Sequence, residues 1–247
     1  MKWNVSAGHS SIVNSIDGCR VGSPELVTGS RDGKVKVWDP RMSDPVATIG
    51  PPRGNADCWT VSFGNTVHES DKVIVAGYDN GDLKMVDLRT MNIRWEANVK
   101  NGVCHVSFDR KDIPMNKLAV TCLQGDVFVY EMRTKNEKSG YAGLEAKGGK
   151  CTIWGCHFLP QNREIMAITT GSGEMKLFKY SYPMNRAIKG DDGELIGVPG
   201  SLENIGNSEY LTTQPLVSFD WNKSKKGLFV TSAFDQVITV GVCSNLE

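Results

Sequence analysis

The sequence predicts an all-β chain, a β-propeller of about five four-stranded blades, and three observations carry that reading. Tight-turn residues recur at Gly33, Gly81, Gly125, Gly173 and Gln236, at intervals of 48, 44, 48 and 63 residues by subtraction. Each is flanked by short runs in which β-branched or aromatic residues alternate with others, the period of a half-buried strand. The fullest such run is VTGSRDGKVKVWDPR, residues 27–41, with Val35 and Val37 on one face and Lys34, Lys36 and Trp38 on the other. Four intervals with one long outlier describe one repeat architecture, a single domain over residues 1–247.

Taken in order, residues 1–8 alternate at Trp3 and Val5 and read as the outer strand of a preceding blade. The first blade, 9–50, has strands near 11–17, 25–28, 34–38 and 46–49. The second, 57–98, sets Trp59, Val61 and Phe63 on one face of its inner strand, then follows with 73–77, the turn Asn80-Gly81, 83–86 and 93–97. The third, 102–146, opens on Cys104, Val106 and Phe108, turns at Gln124-Gly125, and ends in a weakly written strand near 141–144. The fourth, 152–213, opens on Trp154, Cys156 and Phe158 and turns at Ser172-Gly173. Its polar, Gly-rich passage 181–208 shows no period and reads as a surface insertion. The fifth, 215–243, runs through Val217, Phe219 and Trp221, the turn Asp235-Gln236, and then Ile238 and Val240.

The first blade is preceded by Gly8-His9 and closes on Trp38-Asp39, the grammar of a WD40 repeat, whose period is about 40 to 45 residues. In such repeats a histidine, a strand hydroxyl, a turn aspartate and a tryptophan make a buried hydrogen-bonded chain; here the members are His9, Thr28 or Ser30, Asp32 and Trp38. An inward turn carboxylate needs donors, and a charge-assisted bond of this kind contributes ~1.5 to 3 kcal/mol. The place of Trp38 is taken in later blades by Val86, Tyr130, Phe178 and Gly241, and that of Asp32 by Asn80, Gln124, Ser172 and Asp235. A paired His and Asp invite a catalytic reading, but no nucleophile stands in an elbow such as GxSxG, so the pair is read as framework and no catalytic residue is assigned.

Composition narrows the function. Lys+Arg and Asp+Glu are both 28, so no basic excess marks a nucleic-acid or anionic-membrane surface. The seven cysteines include no CxxC pair and sit in apolar runs, which reads as reduced core thiols in an intracellular, cytoplasmic setting. Cys104-His105 and Cys156-His157 are adjacent pairs on strands and point to opposite faces, so no zinc site is expected. No phosphate-cradling loop follows a strand, and no nucleotide, cofactor or small-molecule substrate is expected. Trp59 and Trp154 occupy equivalent places and read as packing between blades, or as anchors near a channel mouth.

Asp39-Pro40-Arg41, Asp87-Leu88-Arg89 and Glu131-Met132-Arg133 recur after the third strand of their blades. Motifs of the form WDxR resemble the signature by which propeller proteins serve as substrate receptors of cullin-4 ubiquitin ligases, which is the alternative function. The candidate partner-binding residues are Arg31, Arg41, Tyr78 and Arg89, in or just beyond the turns and third strands.

Whole phrases of the chain, among them VTGSRDGKVKVWDPR, DCWTVSFGN, AGYDNGDLKMVDLR, NGVCHVSFDRKDIPMNKL and GLFVTSAFDQ, resemble the WD-repeat proteins of the dynein axonemal assembly factor group. The resemblance implies a non-enzymatic cytoplasmic adaptor that works with an R2TP and prefoldin-like co-chaperone complex on axonemal dynein heavy chains, for cilia and flagella. It also implies an apoptosis link. It further implies a seven-bladed ring of which two N-terminal blades are lacking here. Either residues 2–7 close five blades by lending the last one a strand, or the ring stays open with exposed edges.

Overall fold

A computed structural model describes residues 8–19, 26–51, 54–67, 69–206 and 209–246. The chain divides into two compact units, Met1–Val106 with Lys111–Met115, and Ser107–Arg110 with Asn116–Glu247.

The first unit holds two antiparallel sheets of WD-blade type. One runs β1 (Val13–Gly18), β2 (Leu26–Ser30), β3 (Val35–Trp38) and β4 (Ala47–Ile49), hydrogen-bonded in chain order. The other repeats that order with β5 (Cys58–Gly64), β6 (Val73–Tyr78), β7 (Asp82–Asp87) and β8 (Ile93–Asn98). Their facing side chains form one core, in which Val27, Val35 and Val37 meet Cys58, Val61 and Phe63. Each buried Val or Phe of this kind contributes roughly 1.5 to 3 kcal/mol.

The third sheet has the strand order β12-β11-β10-β9. Its inner strand β9 (Val103–Phe108) runs across the division, while β10 (Lys117–Cys122), β11 (Asp126–Asn136) and β12 (Gly140–Lys147) lie in the second unit. The fourth sheet is β13 (Ile153–Leu159), β14 (Asn162–Thr170) and β15 (Glu174–Ser181), followed by a two-stranded hairpin of β16 (Ala187–Lys189) and β17 (Leu195–Gly197). β18 (Ser201–Asn204) and β19 (Glu209–Tyr210) both return to pair with β15. The fifth sheet, β20 (Leu216–Trp221), β21 (Leu228–Ala233) and β22 (Ile238–Val242), has three strands among the described residues. Among the described residues of this unit, one core gathers around Val127, Ile153, Cys156 and Phe158 and another around Leu159, Ile165, Phe219, Trp221 and Phe229.

One turn geometry recurs in all five sheets. Gly33, Gly81, Gly125, Gly173 and Gln236 have φ of +73°, +88°, +83°, +81° and +66°. The N–H of Gly33 donates to Ser30 O and that of Gln236 to Ala233 O, both at 3.1 Å, a tight turn followed by a left-handed residue. Glycine is free of Cβ strain there; at Gly33 a Cβ would also lie 2.7 Å from Ala56 O.

The passage read as a surface insertion carries regular structure: within 182–206 lie the β16–β17 hairpin and β18, which pairs with β15 as an outer strand of the fourth blade. Strands of three and four residues are too short to print a period in the sequence. The weakly written outer strand near 141–144 is present as an eight-residue strand, β12, whose exposure alternates along its length although Gly140 and Gly143 blur the alternation in the sequence. The segment assigned to a preceding blade lies, apart from Gly8, outside the described residues, as does His68.

Candidate functional site

The β2–β3 turn brings Asp32 back over the start of β2, and the segment before β1 lays His9 against it. His9 Nδ1 stands 3.0 Å from Asp32 Oδ2, and His9 Nε2 stands 2.8 Å from Thr28 Oγ1. Trp38 Nε1–H donates to the same Oγ1 at 2.8 Å. With the His9 Nδ1–H given to the carboxylate, the bonds run in one direction, indole to hydroxyl to imidazole to carboxylate, and need no charged imidazole. Thr28 is thus the strand hydroxyl of the chain. Ser30 Oγ instead accepts the N–H of Asp32 at 3.1 Å and shapes the turn.

Asp32 also accepts the N–H of Ser10 at 3.0 Å and that of Lys34 at 2.9 Å. Burial pushes its carboxyl up, but these two N–H groups and His9 outweigh burial and hold it at about 2. A base held that low takes up no proton at neutral pH, which suits framework and not acid–base chemistry.

The recurring acid-x-Arg corners are structural in the same sense. Asp39 Oδ1 accepts both the N–H of Arg41 at 2.9 Å and its Nε–H at 2.8 Å, so the guanidinium folds back on its own turn. Hydrogen bonds from Arg41 hold the Asp39 carboxyl at about 2. Asp87 Oδ1 accepts the N–H groups of Arg89 at 2.8 Å and Thr90 at 3.0 Å; burial opposes, yet its carboxyl stays below the usual range. Glu131 Oε1 accepts the N–H of Arg133 at 2.9 Å.

Of the candidate partner-binding residues, Arg31 and Arg89 are exposed, and the Arg41 side chain is 68% exposed although paired. Tyr78 is a correction: it is 0% exposed, and its hydroxyl has no hydrogen-bond partner among the described residues. It ends β6, a strand whose six residues are all buried on both faces, so a place beside the turn did not make it surface.

The cysteines behave as core. Cys58, Cys122 and Cys156 are buried, no disulfide joins any of the seven among the described residues, and burial pushes the thiols of Cys58 and Cys104 up to about 12. Among the described residues no group of three or more His, Cys, Asp or Glu side chains gathers as metal ligands do. The His157 ring lies 5.1 Å from that of Phe219, a packing contact. Trp59 and Trp154 are half-buried, and the Trp154 Nε1–H is buried without a hydrogen-bond partner among the described residues.

Sequence reasoning missed a buried ionic cluster in the second unit. Lys117 and Asp109, both with side chains 0% exposed, pair at 3.1 Å, and Lys117 Nζ sits 4.5 Å from the centre of the Tyr182 ring. Beside it Arg186 clamps the fully buried Glu131, Nε to Oε2 at 2.7 Å and Nη2 to Oε1 at 2.6 Å. Tyr182 and Arg186 come from the passage before β16, so this cluster ties that passage to the third blade.

No protein-family model matches the chain. Among curated proteins it is 48% identical over 262 residues to dynein axonemal assembly factor 10 of Homo sapiens, a match covering 99% of this chain and 73% of that one. The chain belongs to the dynein axonemal assembly factor 10 family. The member from Chlamydomonas reinhardtii is 48% identical over 248 residues, covering 97% of this chain and 69% of the relative. The Cps50 (Swd1) β-propeller domain of Myceliophteria thermophila superposes with a TM-score of 0.68 at 13% identity, covering 99% of this chain and 69% of that one. The computationally designed protein Ika8 gives 0.64 at 16% identity, covering 96% and 60%. At such identities the solved structures speak for the fold alone, a WD40 β-propeller. Family and fold together point to a non-enzymatic scaffold with protein partners in dynein assembly.

Proposed function

We propose that this member of the dynein axonemal assembly factor 10 family is a cytoplasmic scaffold in the preassembly of axonemal dynein arms for cilia and flagella, acting beside an R2TP and prefoldin-like co-chaperone complex. The observation that carries the reading is the 48% identity that runs along 99% of the chain, loops included, to a relative bearing that name. Propeller blades suit the task because they present rigid edges and loops to several partners. Affinity purification of the tagged full chain from ciliated cells tests it: recovery of co-chaperone subunits and dynein heavy chains is the expected result, and clean recovery of neither overturns it.

The reading includes two further N-terminal blades in the complete protein. It is supported by apolar side chains left exposed on the first sheet, Val13 and Ile16, and on the fifth, Ile238 and Val240. A transcript read with an upstream in-frame start and two more repeats tests this; an in-frame stop directly upstream overturns it. The cullin-4 alternative is not favoured, since Arg41 is spent on Asp39 and the acids of the corner motif cap their own turns.

A further inference from the structure

The place that the first blade fills with His9, Asp32 and Trp38 is hollow in the fourth. His9 precedes Asp32 by 23 residues and Trp38 follows it by 6; the same offsets from Ser172 reach Gly149 and Phe178. Glycine stands for imidazole, a hydroxyl for the carboxylate, and phenyl for indole. A cavity of about 970 Å³ opens there, lined by Gly149, Ser172 and Phe178 together with Lys147, Lys150 and Lys176. It lies wholly within the second unit. An added Cβ on Gly149 would meet nothing nearer than 3.9 Å among the described residues, so the space of the missing side chain is left open by them.

The charges around this hollow are what a carboxylate at the aspartate position would need. Lys176 occupies the place of Lys36, four residues past the turn residue in each blade. Of the lining lysines, Lys147 pairs with Asp126 and Lys176 with Glu174 at 3.3 Å, while Lys150 has no carboxylate partner among the described residues. Three cations against those two carboxylates leave a surplus of one at a site whose own turn residue, Ser172, is uncharged. Ser172 Oγ already bonds Thr170 Oγ1 at 2.9 Å and lies 3.5 Å from Cys151 Sγ, so the hydroxyl neither fills the cavity nor neutralises it.

We propose that this cavity receives a Glu or Asp side chain from an extended acidic segment of a protein partner, its carboxylate held by Lys150 and Lys176 where the first blade holds Asp32. The proposal rests on the reading of the chain as a scaffold for proteins, and it names one surface and one chemistry for that role. Charge-assisted bonds from placed lysines supply specificity in a concave site.

Fluorescence anisotropy of the full chain with a fluorescein-labelled octapeptide of alternating Glu and Ala tests it, with the Gln counterpart as control. Saturable binding of the Glu peptide, at least about tenfold weaker for the Gln peptide, is expected. The variant Gly149→His with Ser172→Asp rebuilds the first blade's constellation in the fourth; it should lose binding at least about tenfold with its melting temperature kept or raised. Lys150→Glu, at an exposed side chain, should weaken binding without unfolding the chain. Equal binding of the Glu and Gln peptides, undiminished binding by Lys150→Glu, or no saturable binding by the parent overturns the proposal. Capture of dynein heavy chains is read separately, so failure of the cavity and failure of the scaffold reading are distinguishable.

Discussion

Trp38 and His9 meet on a single atom, Thr28 Oγ1, each at 2.8 Å. One hydroxyl accepts from the indole and donates to the imidazole, so a threonine methyl's width of chemistry joins the third strand, the turn and the segment before the first strand. Thr28→Val keeps the shape and removes the relay. It should cost ~1 to 3 kcal/mol by leaving a buried indole N–H and a buried imidazole nitrogen unpaired, while Thr28→Ser restores most of it. Urea melts of the three proteins check this.

Asp32→Ala should cost a similar ~1 to 3 kcal/mol, and it should not add to Thr28→Val, since both break one chain. Full additivity in the double variant, read by urea melts, would show that the relay is not a unit.

Acid acts in two separate windows, the lower shared by Asp32 and Asp39 and the higher set by His105. Asp32 has its carboxyl lowered from 3.8 to about 2, so the stability it contributes is complete above 3.8 and is lost as pH falls through 2. Burial, with Lys111 acting the same way and Asp17 opposing, pushes the His105 imidazole down from 6.5 to about 4. The unfolded chain then binds that proton more readily, so stability is complete above 6.5 and declines as pH falls toward 4. Chemical melts across pH should show both declines, with His105→Asn flattening the higher one and Asp32→Asn part of the lower.

Gln236 occupies the left-handed position that glycine takes in the other four turns, at φ +66°. Gln236→Gly should stabilise the chain by about 0.5 to 1 kcal/mol, because a side chain costs about 1 to 2 kcal/mol there and glycine's extra unfolded-state freedom returns part of it. A higher melting midpoint is the expected reading.

Arg186→Ala leaves Glu131, 0% exposed, as an uncompensated buried charge and should cost about 3 to 5 kcal/mol. Limited proteolysis should then cut within residues 187–197 first. Pairing Arg186→Met with Glu131→Gln should recover most of the loss.

The blades were legible because each turn needs one left-handed residue, and four glycines and a glutamine stand at the right spacing between alternating runs. The first blade's hydrogen-bonded chain was legible because all its side chains are present; only the choice of Thr28 over Ser30 needed coordinates. Tyr78 was misread because nearness to a turn was taken for exposure, whereas β6 is covered on both faces up to its last residue. The passage after β15 was unreadable for a different reason. Its strands are too short for a period, and its anchor joins Arg186 to Glu131 across 55 residues of sequence. The fourth blade's cavity was written as absences, Gly149 and Ser172 where a framework pair stands elsewhere, and absences gain meaning only once the blades are superposed.

The most direct test of the scaffold in dynein-arm assembly is electron tomography of axonemes after depletion of this protein in a ciliated or flagellated cell, with re-expression of the chain as the rescue. Axonemes lacking dynein arms after depletion, with arms restored on rescue, are the expected result. Axonemes with a full complement of arms after complete depletion would contradict it.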